Sequence, residues 1–499
     1  MGLTRNGRIH YFLTGFLIVA FLFVSWFRTS TSASLIISQS SIQSSSSAAT
    51  ETKLSKNCAS NLKLYIYKPI SEKLLFDEQF PTGNKSVLLS RSDDYLLEDA
   101  LLRYFQHQPC IITSDPTQAN AFLVPHAIAS HFFNVPNANQ HNLESYFDET
   151  LRPFLKHIQQ DLPYFNQSIS GSDISKNHFF LNTFDNGPFC DKNKHTNESG
   201  VFSHKVWKEV VAPMMQIGYY SQLDQKIPHN RQSKRRKFCF IPEKDIAVPM
   251  YDEQGRNSLN QQQPAQPTST AFIHHCNHHS NNDYCRIQWR SYLKHRALQV
   301  SRPFYFRGTI SKGKQCSPGI RPFLQRYCSL QTTSCHFQNL SASMKDSIFS
   351  FCPAGWACWS ARFYDAWDHM TIPIRLSEDI AEPFASVIPE YSKMMISLRT
   401  TSISGLFEIM HANNNSQTMP KNGSDLLNKL AFLAREWVHV CAAANNTTFD
   451  NNNACLQHPI SKRLEVIAKN RHLVSWAQSE EGGAYTSLER EMSNRVRNN

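Results

Sequence analysis

The stretch from Met344 to Phe384, MKDSIFSFCPAGWACWSARFYDAWDHMTIPIRLSEDIAEPF, constrains this chain more than any other. It has the layout of one strand-loop-helix-strand unit built around an anion. Ile348 to Phe351 is an apolar run of strand length, Cys352-Pro353-Ala354-Gly355 breaks it, and a helical pattern starts near Ser360. Phe363, Ala366, Trp367 and Met370 fall on one helical face, and Thr371 to Leu376 returns as a buried strand. Backbone N–H groups at the helix start, the helix dipole and the Arg362 guanidinium all favour a negative charge at the loop. A nucleotide diphosphate fits that description. The competing reading is a purely structural unit in which Gly355 only tightens a turn and Arg362 is a solvated helix residue.

Length and charge bound the classes without choosing among them. At 499 residues, 41% of them hydrophobic and 12% aromatic, the chain can fill the cores of two ordinary domains. Fifty-one basic against 40 acidic residues give a net +11, which suits phosphates, acidic glycans, membrane headgroups or nucleic acid.

The N-terminus narrows this. After a short tail (1–10), Tyr11 to Phe27 is an uncharged, almost wholly apolar run of 17 residues, flanked by Arg5 and Arg8 before it and Arg28 after it. It suffices for a short membrane span, and the arginine bias favours a cytoplasmic N-terminus with a lumenal body. A cleaved signal peptide is the alternative, given the small residues Ser32, Ala33 and Ser34. Residues 28–57, of which Thr29 to Thr50 are dominated by Ser, Thr and Ala and carry no charge, read as a stem. A secretory body predicts oxidised cysteines, and 13 Cys leave at least one unpaired. Glycan-acceptor triplets at Asn84, Asn166, Asn197, Asn339, Asn414, Asn422, Asn445 and Asn446 agree with a lumenal placement.

Beyond the stem, the pattern divides into two α/β halves, 58–250 and 301–480, separated by a Gln-, Pro- and Asn-bearing linker or insertion (251–300) and followed by a tail (481–499). In the first half, strands are expected at Leu62–Tyr67, Ala121–Val124, Phe179–Leu181 and Phe238–Ile241, with a helix over Tyr95–Phe105. The second starts with a strand at Phe304–Phe306, runs through the Met344 unit, and ends in helices around Leu426–Val440 and Ser461–Ser475. Strands alternating with helices imply a mainly parallel sheet in each half.

Two side features favour structural readings. His274, His275, Cys276, His278, His279 and Cys285 match no closed zinc spacing, and a Cys276–Cys285 disulfide accounts for the cysteines. The run Lys234-Arg235-Arg236-Lys237 lacks the interleaved aromatics of a nucleic-acid site and reads as a solvated loop; no nucleic-acid partner is expected.

Seven segments in order carry a family resemblance: LKLYIYKP (62–69), ANAFLVP (119–125), PYFNQS (163–168), NHFFL (177–181), KDIAVP (244–249), RPFYFRG (302–308) and the Met344 unit. Together they resemble the exostosin family of glycosyltransferases (glycosyltransferase family 47). The resemblance implies a GT-B-like α/β fold, two Rossmann-like domains facing across a cleft, the first for acceptor and the second for donor. It also implies transfer of a sugar, with inversion, from a nucleotide-sugar, a UDP-sugar, to a glycan or glycoprotein acceptor. With the anchor and stem, it implies a single-pass type II Golgi membrane protein; oligomerisation is left open.

Carried over by position, the resemblance assigns donor binding to Arg307, Gly308, Gly355, Ser360 and Arg362, and a hydroxyl-binding carboxylate to Glu378. Fixed guanidinium groups can stabilise a departing diphosphate unaided, so neither a catalytic metal nor another cofactor is expected. Inversion requires a general base, for which Asp185 after NHFFL is the first candidate and Asp245 of KDIAVP the second; His126 and His178 are more readily structural. Asp185-Asn186-Gly187-Pro188 is also a turn sequence. Two positions depart from the family pattern, Phe184 where a His is frequent and Met370-Thr371 where Gly-Cys is usual. They leave open an inactive Golgi glycan-binding or partner protein of the same fold. A Golgi sulfotransferase is the remaining alternative, and no second phosphate loop near the first strand supports it.

Overall fold

The computed structural model describes residues 61–68, 97–126, 149, 151–161, 168–169, 172–173, 177–181, 183, 214–219, 240–250, 283–308, 310, 320–338, 341–354, 360–376, 380–398, 421–443, 449–476 and 483–498. Asn57–Asn499 forms one compact unit. The expected anchor and stem lie outside the described residues, as do the basic run at 234–237 and the histidines at 274–279. Among the described residues no helix is long and apolar enough to cross a membrane.

The first half alternates strand and helix. Its elements are β1 (Leu64–Ile66), α1 (Leu97–Gln106), β2 (Ala121–Val124), α2 (Arg152–Asp161), the antiparallel pair β3 (Ser168–Ile169) and β4 (Ser172–Asp173), β5 (His178–Leu181), β6 (Met215–Gly218) and β7 (Ile246–Ala247). Five strands form one parallel sheet in the order β1-β2-β5-β6-β7, with Ile112 bridged to Leu64 on the outer side of β1. β2 and β5 are buried at every position, as strands covered on both faces must be. α1 supplies Leu97, Leu101 and Phe105 to the core beneath them.

The second half follows α3 (Asp283–Gln299). It comprises β8 (Arg302–Phe306), α4 (Ile320–Leu330), β9 (Cys335–Phe337), β10 (Ser347–Pro353), α5 (Arg362–Asp368), β11 (Ile372–Leu376), α6 (Tyr391–Met394), β12 (Ile396–Ser397), α7 (Lys421–Ala442), α8 (Phe449–Gln457), α9 (Pro459–Asn470) and α10 (Gly483–Asn498). Its parallel sheet runs β12-β11-β10-β8-β9. Strand order therefore reverses between β8 and β10, and ligands of open α/β sheets bind beyond the carboxyl ends of the strands at such a point. The mixed α/β architecture with two parallel sheets is consistent with the GT-B-like expectation.

Both ends of this half tie back beyond the expected boundaries. α3, inside the expected linker, belongs to the second sheet: the buried Arg296 donates to the carbonyls of Lys345 and of Ser347, where β10 begins. α10, inside the expected tail, packs on the first half. Tyr485 stacks on Tyr104 with ring centroids 4.2 Å apart, Tyr104 donates to Glu489, and Arg495 donates to the Glu243 carbonyl at 2.6 Å. Between the sheets, the Phe384 amide beyond β11 donates to the Ala247 carbonyl at the end of β7 (3.1 Å), and Trp476 donates to the Pro249 carbonyl. The carboxyl ends of the two sheets thus meet across the cleft.

Local outcomes mostly follow the patterning, with three differences. Residues 240 and 241 of the expected strand Phe238–Ile241 are not extended into a ladder. Instead, the Ile241 amide is taken by the Asp245 carboxylate, and the strand starts at Ile246. β10 continues through Pro353, which sits opposite Leu376, so Cys352-Pro353 does not end the strand. The helix after the loop runs only over Arg362–Asp368 and is closed by Met370 at φ 52°.

Candidate functional site

Beyond the ends of β8 and β10 the chain gathers cationic side chains. Arg362, the first residue of α5, donates from Nε to the Arg307 carbonyl at 3.0 Å and from Nη1 to Ser360 Oγ at 3.5 Å. Its guanidinium lies over the Phe306 ring, 5.6 Å from the centroid, a cation–π arrangement that fixes the plane of the group. Gly308 leaves room for it, since a β-carbon there would come within 2.5 Å of Arg362 Nη2. Gln338 clasps that glycine from β9: its Oε1 accepts the Gly308 amide and its Nε2 donates to the Gly308 carbonyl. Arg307, Gly308, Ser360 and Arg362 are therefore brought together; Gly355 and Glu378 lie outside the described residues.

A second guanidinium joins them. Arg321, near the start of α4, donates to the Ala354 carbonyl at the end of β10 (3.1 Å). Burial, together with the positive charge of Arg362, holds its pKa below the ordinary arginine value. Two cations placed close enough to disfavour each other mark a locus where an anion relieves the strain. Neither Arg321 nor Gln338 stands out in the sequence. Arg321 sits in an ordinary amphipathic helix, and its only signal is its place in the helix that follows β8.

The helix dipole contributes less than the sequence suggests. α5 has seven residues, and the amides of Phe363, Tyr364 and Asp365 already bond the carbonyls of Ser360 and Ala361. The positive character of the site rests on guanidinium groups. Cys352, on β10, is buried and unpaired, and burial pushes its thiol well above the usual range, so it is inert.

The first sheet presents a buried polar cluster at its own carboxyl end. Thr183, two residues past β5, donates to Glu98 Oε1 at 3.1 Å, and the other Glu98 oxygen lies 3.8 Å from His126 Nδ1. Burial lowers the His126 pKa to about 3, against an opposing backbone hydrogen bond with Leu181, so the ring is neutral. His126 stacks on Phe180, and His178 stacks on Phe122 while its Nε2 shares a 2.6 Å hydrogen bond with the Tyr67 hydroxyl. Both histidines are core residues.

Asp185 lies outside the described residues. Asp245 is 1% exposed and stands just before β7. Its oxygens accept the amides of Gln216 (3.0 Å) and Ile241 (2.8 Å), and Lys244 Nζ lies 3.2 Å away. Desolvation still raises its pKa, against these partners. Those contacts make Asp245 a clasp at the start of β7. Cys328–Cys335 and Cys441–Cys455 are disulfides, and Cys110 and Cys285 are also disulfide-bonded. Among the described residues no group of His, Cys, Asp or Glu could hold a metal ion.

The profile of the exostosin GT47 domain matches residues 58–412. This chain belongs to the exostosin GT47 family. Curated relatives match over short segments. A probable glucuronosyltransferase of Oryza sativa subsp. japonica is 48% identical over 46 residues, 9% of this chain and 11% of that protein. A probable beta-1,4-xylosyltransferase of Arabidopsis thaliana is 46% identical over 46 residues, again 9% and 11%. A probable glucuronosyltransferase 47 A of Physcomitrium patens is 32% identical over 78 residues, 16% of this chain and 17% of that protein. The chain thus spans well under a fifth of the length of these relatives.

Proposed function

We propose that this protein moves a pentosyl or hexosyl group from a UDP-sugar to a glycan or glycoprotein acceptor, with inversion and without a catalytic metal ion. The observation that carries this reading is the pairing of Arg362 and Arg321 at the β8/β10 switch point, in a chain of a glycosyltransferase family. The acceptor oxygen attacks the anomeric carbon from the face opposite UDP. As that bond forms, the bond from the anomeric carbon to the β-phosphate oxygen breaks and its electron pair passes to the phosphate. Arg362 and Arg321 stabilise the charge that develops there, an electrostatic contribution that requires no proton transfer to the leaving group.

The acceptor hydroxyl loses its proton to a general base, which we assign to Asp185, four residues after the end of β5 in the sequence. Glu378 is assigned to donor hydroxyls and Gly355 to the close approach of the phosphate. The apolar run at 11–27 and the stem after it support a type II Golgi membrane protein with a lumenal body. The test is calorimetric titration of the purified full-length chain with UDP in EDTA. Binding should persist without divalent ions and weaken by about 1 to 3 kcal/mol in Arg362→Ala, the range for a lost charged hydrogen bond. Equal binding by that variant and the wild type would overturn the donor assignment.

A further inference from the structure

β9 ends where its ladder with β8 is due one more rung. The Phe304 amide donates to the Ser334 carbonyl and the Gln338 amide to the Phe306 carbonyl, each at 2.9 Å. In a parallel pair of this register the next bond runs from the Gly308 amide to the Gln338 carbonyl. That amide goes elsewhere. Gln338 stands at φ 54°, a left-handed conformation shared among the described residues by only two other non-glycine residues, Met370 and Phe384, and its main chain turns out of the strand direction. The side chain takes the missing place: Oε1 accepts the Gly308 amide at 3.2 Å, and Nε2 donates to the Gly308 carbonyl. A carboxamide carries the donor and acceptor of a peptide group, so the ladder gains its rung without a longer strand.

The amide that Gln338 holds and the Arg307 carbonyl that accepts Arg362 Nε at 3.0 Å belong to one peptide group. That group is planar, so fixing its N–H on one side fixes the direction of its C=O on the other. A hydrogen-bonded line therefore runs from Gln338 through a single peptide plane to Arg362, and each bond polarises the next. We infer that Gln338 is a positioning residue for the diphosphate, acting on the Arg362 guanidinium through the Arg307–Gly308 peptide. The inference rests on the proposed UDP-sugar reading of that site. Glycine has wide backbone freedom, so without the clasp this peptide is free to rotate and to carry the acceptor of Arg362 with it. The clasp also commits the Gly308 amide, so this glycine contributes clearance for Arg362 Nη2 and not a phosphate-binding N–H of its own. A left-handed backbone at a residue with a long side chain is retained where tertiary contacts over-determine it, and here those contacts lie at the arginine that meets the anion.

The test is calorimetric titration of the full-length chain with UDP, combined with thermal unfolding, for Gln338→Gly, Gln338→Asn, Arg362→Ala and the double variant Gln338→Gly/Arg362→Ala. Glycine and asparagine both suit the left-handed backbone, and neither carries a carboxamide long enough to clasp Gly308, so the turn is kept while the clasp is lost. Both single variants at 338 should melt close to the wild type and bind UDP about tenfold more weakly, the result of a misplaced binding group. In the Arg362→Ala background, Gln338→Gly should cost no further affinity, because the residue acts only through the arginine. A purely structural role for Gln338 gives wild-type UDP affinity in the two single variants and overturns the inference. An equal loss of affinity with and without Arg362 also overturns it, since Gln338 then reaches the ligand by another route. If UDP fails to bind the wild type, or if Arg362→Ala binds it equally well, the underlying donor reading falls and this one with it.

Discussion

Gly308 lies against the Arg362 guanidinium so closely that any β-carbon would stand 2.5 Å from Nη2 and 3.2 Å from Cζ. The two nearest atoms are the far end of a flexible side chain and the third, Phe306 Cζ at 3.3 Å, needs to give by only a few tenths of an ångström, so Gly308→Ala should displace the arginine and spare the fold. Stability is expected to change by less than about 1 kcal/mol, as for a substitution that forces no backbone shift. UDP affinity should fall by about tenfold, since misplacing a positioned group is costly. Calorimetry alongside urea unfolding separates the two effects. A variant that binds UDP as well as the wild type would show that Arg362 does not need its present position.

Arg321 is the second cation of the proposed diphosphate site, and its charge is held less favourably than an ordinary arginine by burial and by Arg362. Arg321→Ala should weaken UDP binding by about 1.5 to 3 kcal/mol. In the double variant with Arg362→Ala the losses should be less than additive, because removing either cation relieves the other. Additive losses would mean that the two side chains hold separate ligands.

Much of this architecture was legible because its signals are local. Buried runs such as AFLV and HFFL, and the 3.6-residue spacing of Leu97, Leu101 and Phe105, specify element type without reference to partners. Arg307, Gly308, Ser360 and Arg362 were legible through the ordered family segments, which preserve spacing around one loop. The usual family glycine also maps onto a backbone need: Met370 replaces it at φ 52°, the left-handed position that closes α5. Arg321 and Gln338 were not legible, since each reaches the site through tertiary contact from an element with no distinguishing pattern. The clasp that Asp245 makes on the Gln216 and Ile241 amides was not legible either.

The Cys441–Cys455 disulfide joins the end of α7 to α8 across a separation of 14 residues. Closing a loop of that size removes about 3 kcal/mol of conformational freedom from the unfolded chain. α7 also carries Trp437, fully buried and donating to Ser461 of α9 at 2.8 Å, so the bridge secures a helical layer packed on β8. The double variant Cys441→Ala/Cys455→Ala should unfold at lower urea concentration by about that energy and keep its UDP affinity, because the bridge lies away from the arginine pair. Loss of UDP binding at urea concentrations where the variant remains folded would tie this layer to the donor site.

His126 gives the fold a pH dependence whose sign follows from its neutral state. Its folded pKa is lowered from 6.5 to about 3, with desolvation the dominant cause. The backbone hydrogen bond with Leu181 pulls the other way, the Glu98 carboxylate at 3.8 Å is too distant for a hydrogen bond, and the enclosure of the ring by Phe180 and its neighbours prevails. As pH falls below 6.5, the unfolded chain binds a proton that the folded chain refuses, so stability is full above that value and is lost progressively toward pH 3. By pH 5.5 the loss from this residue should reach about 1.4 kcal/mol, one pKa unit of linkage. His126→Gln removes the titrating group, so its urea midpoint should fall less than that of the wild type between pH 7.5 and 5.5. A wild-type curve no steeper than that of the variant would mean that the Glu98 carboxylate keeps the ring protonated in the fold, making the pair a buried salt bridge.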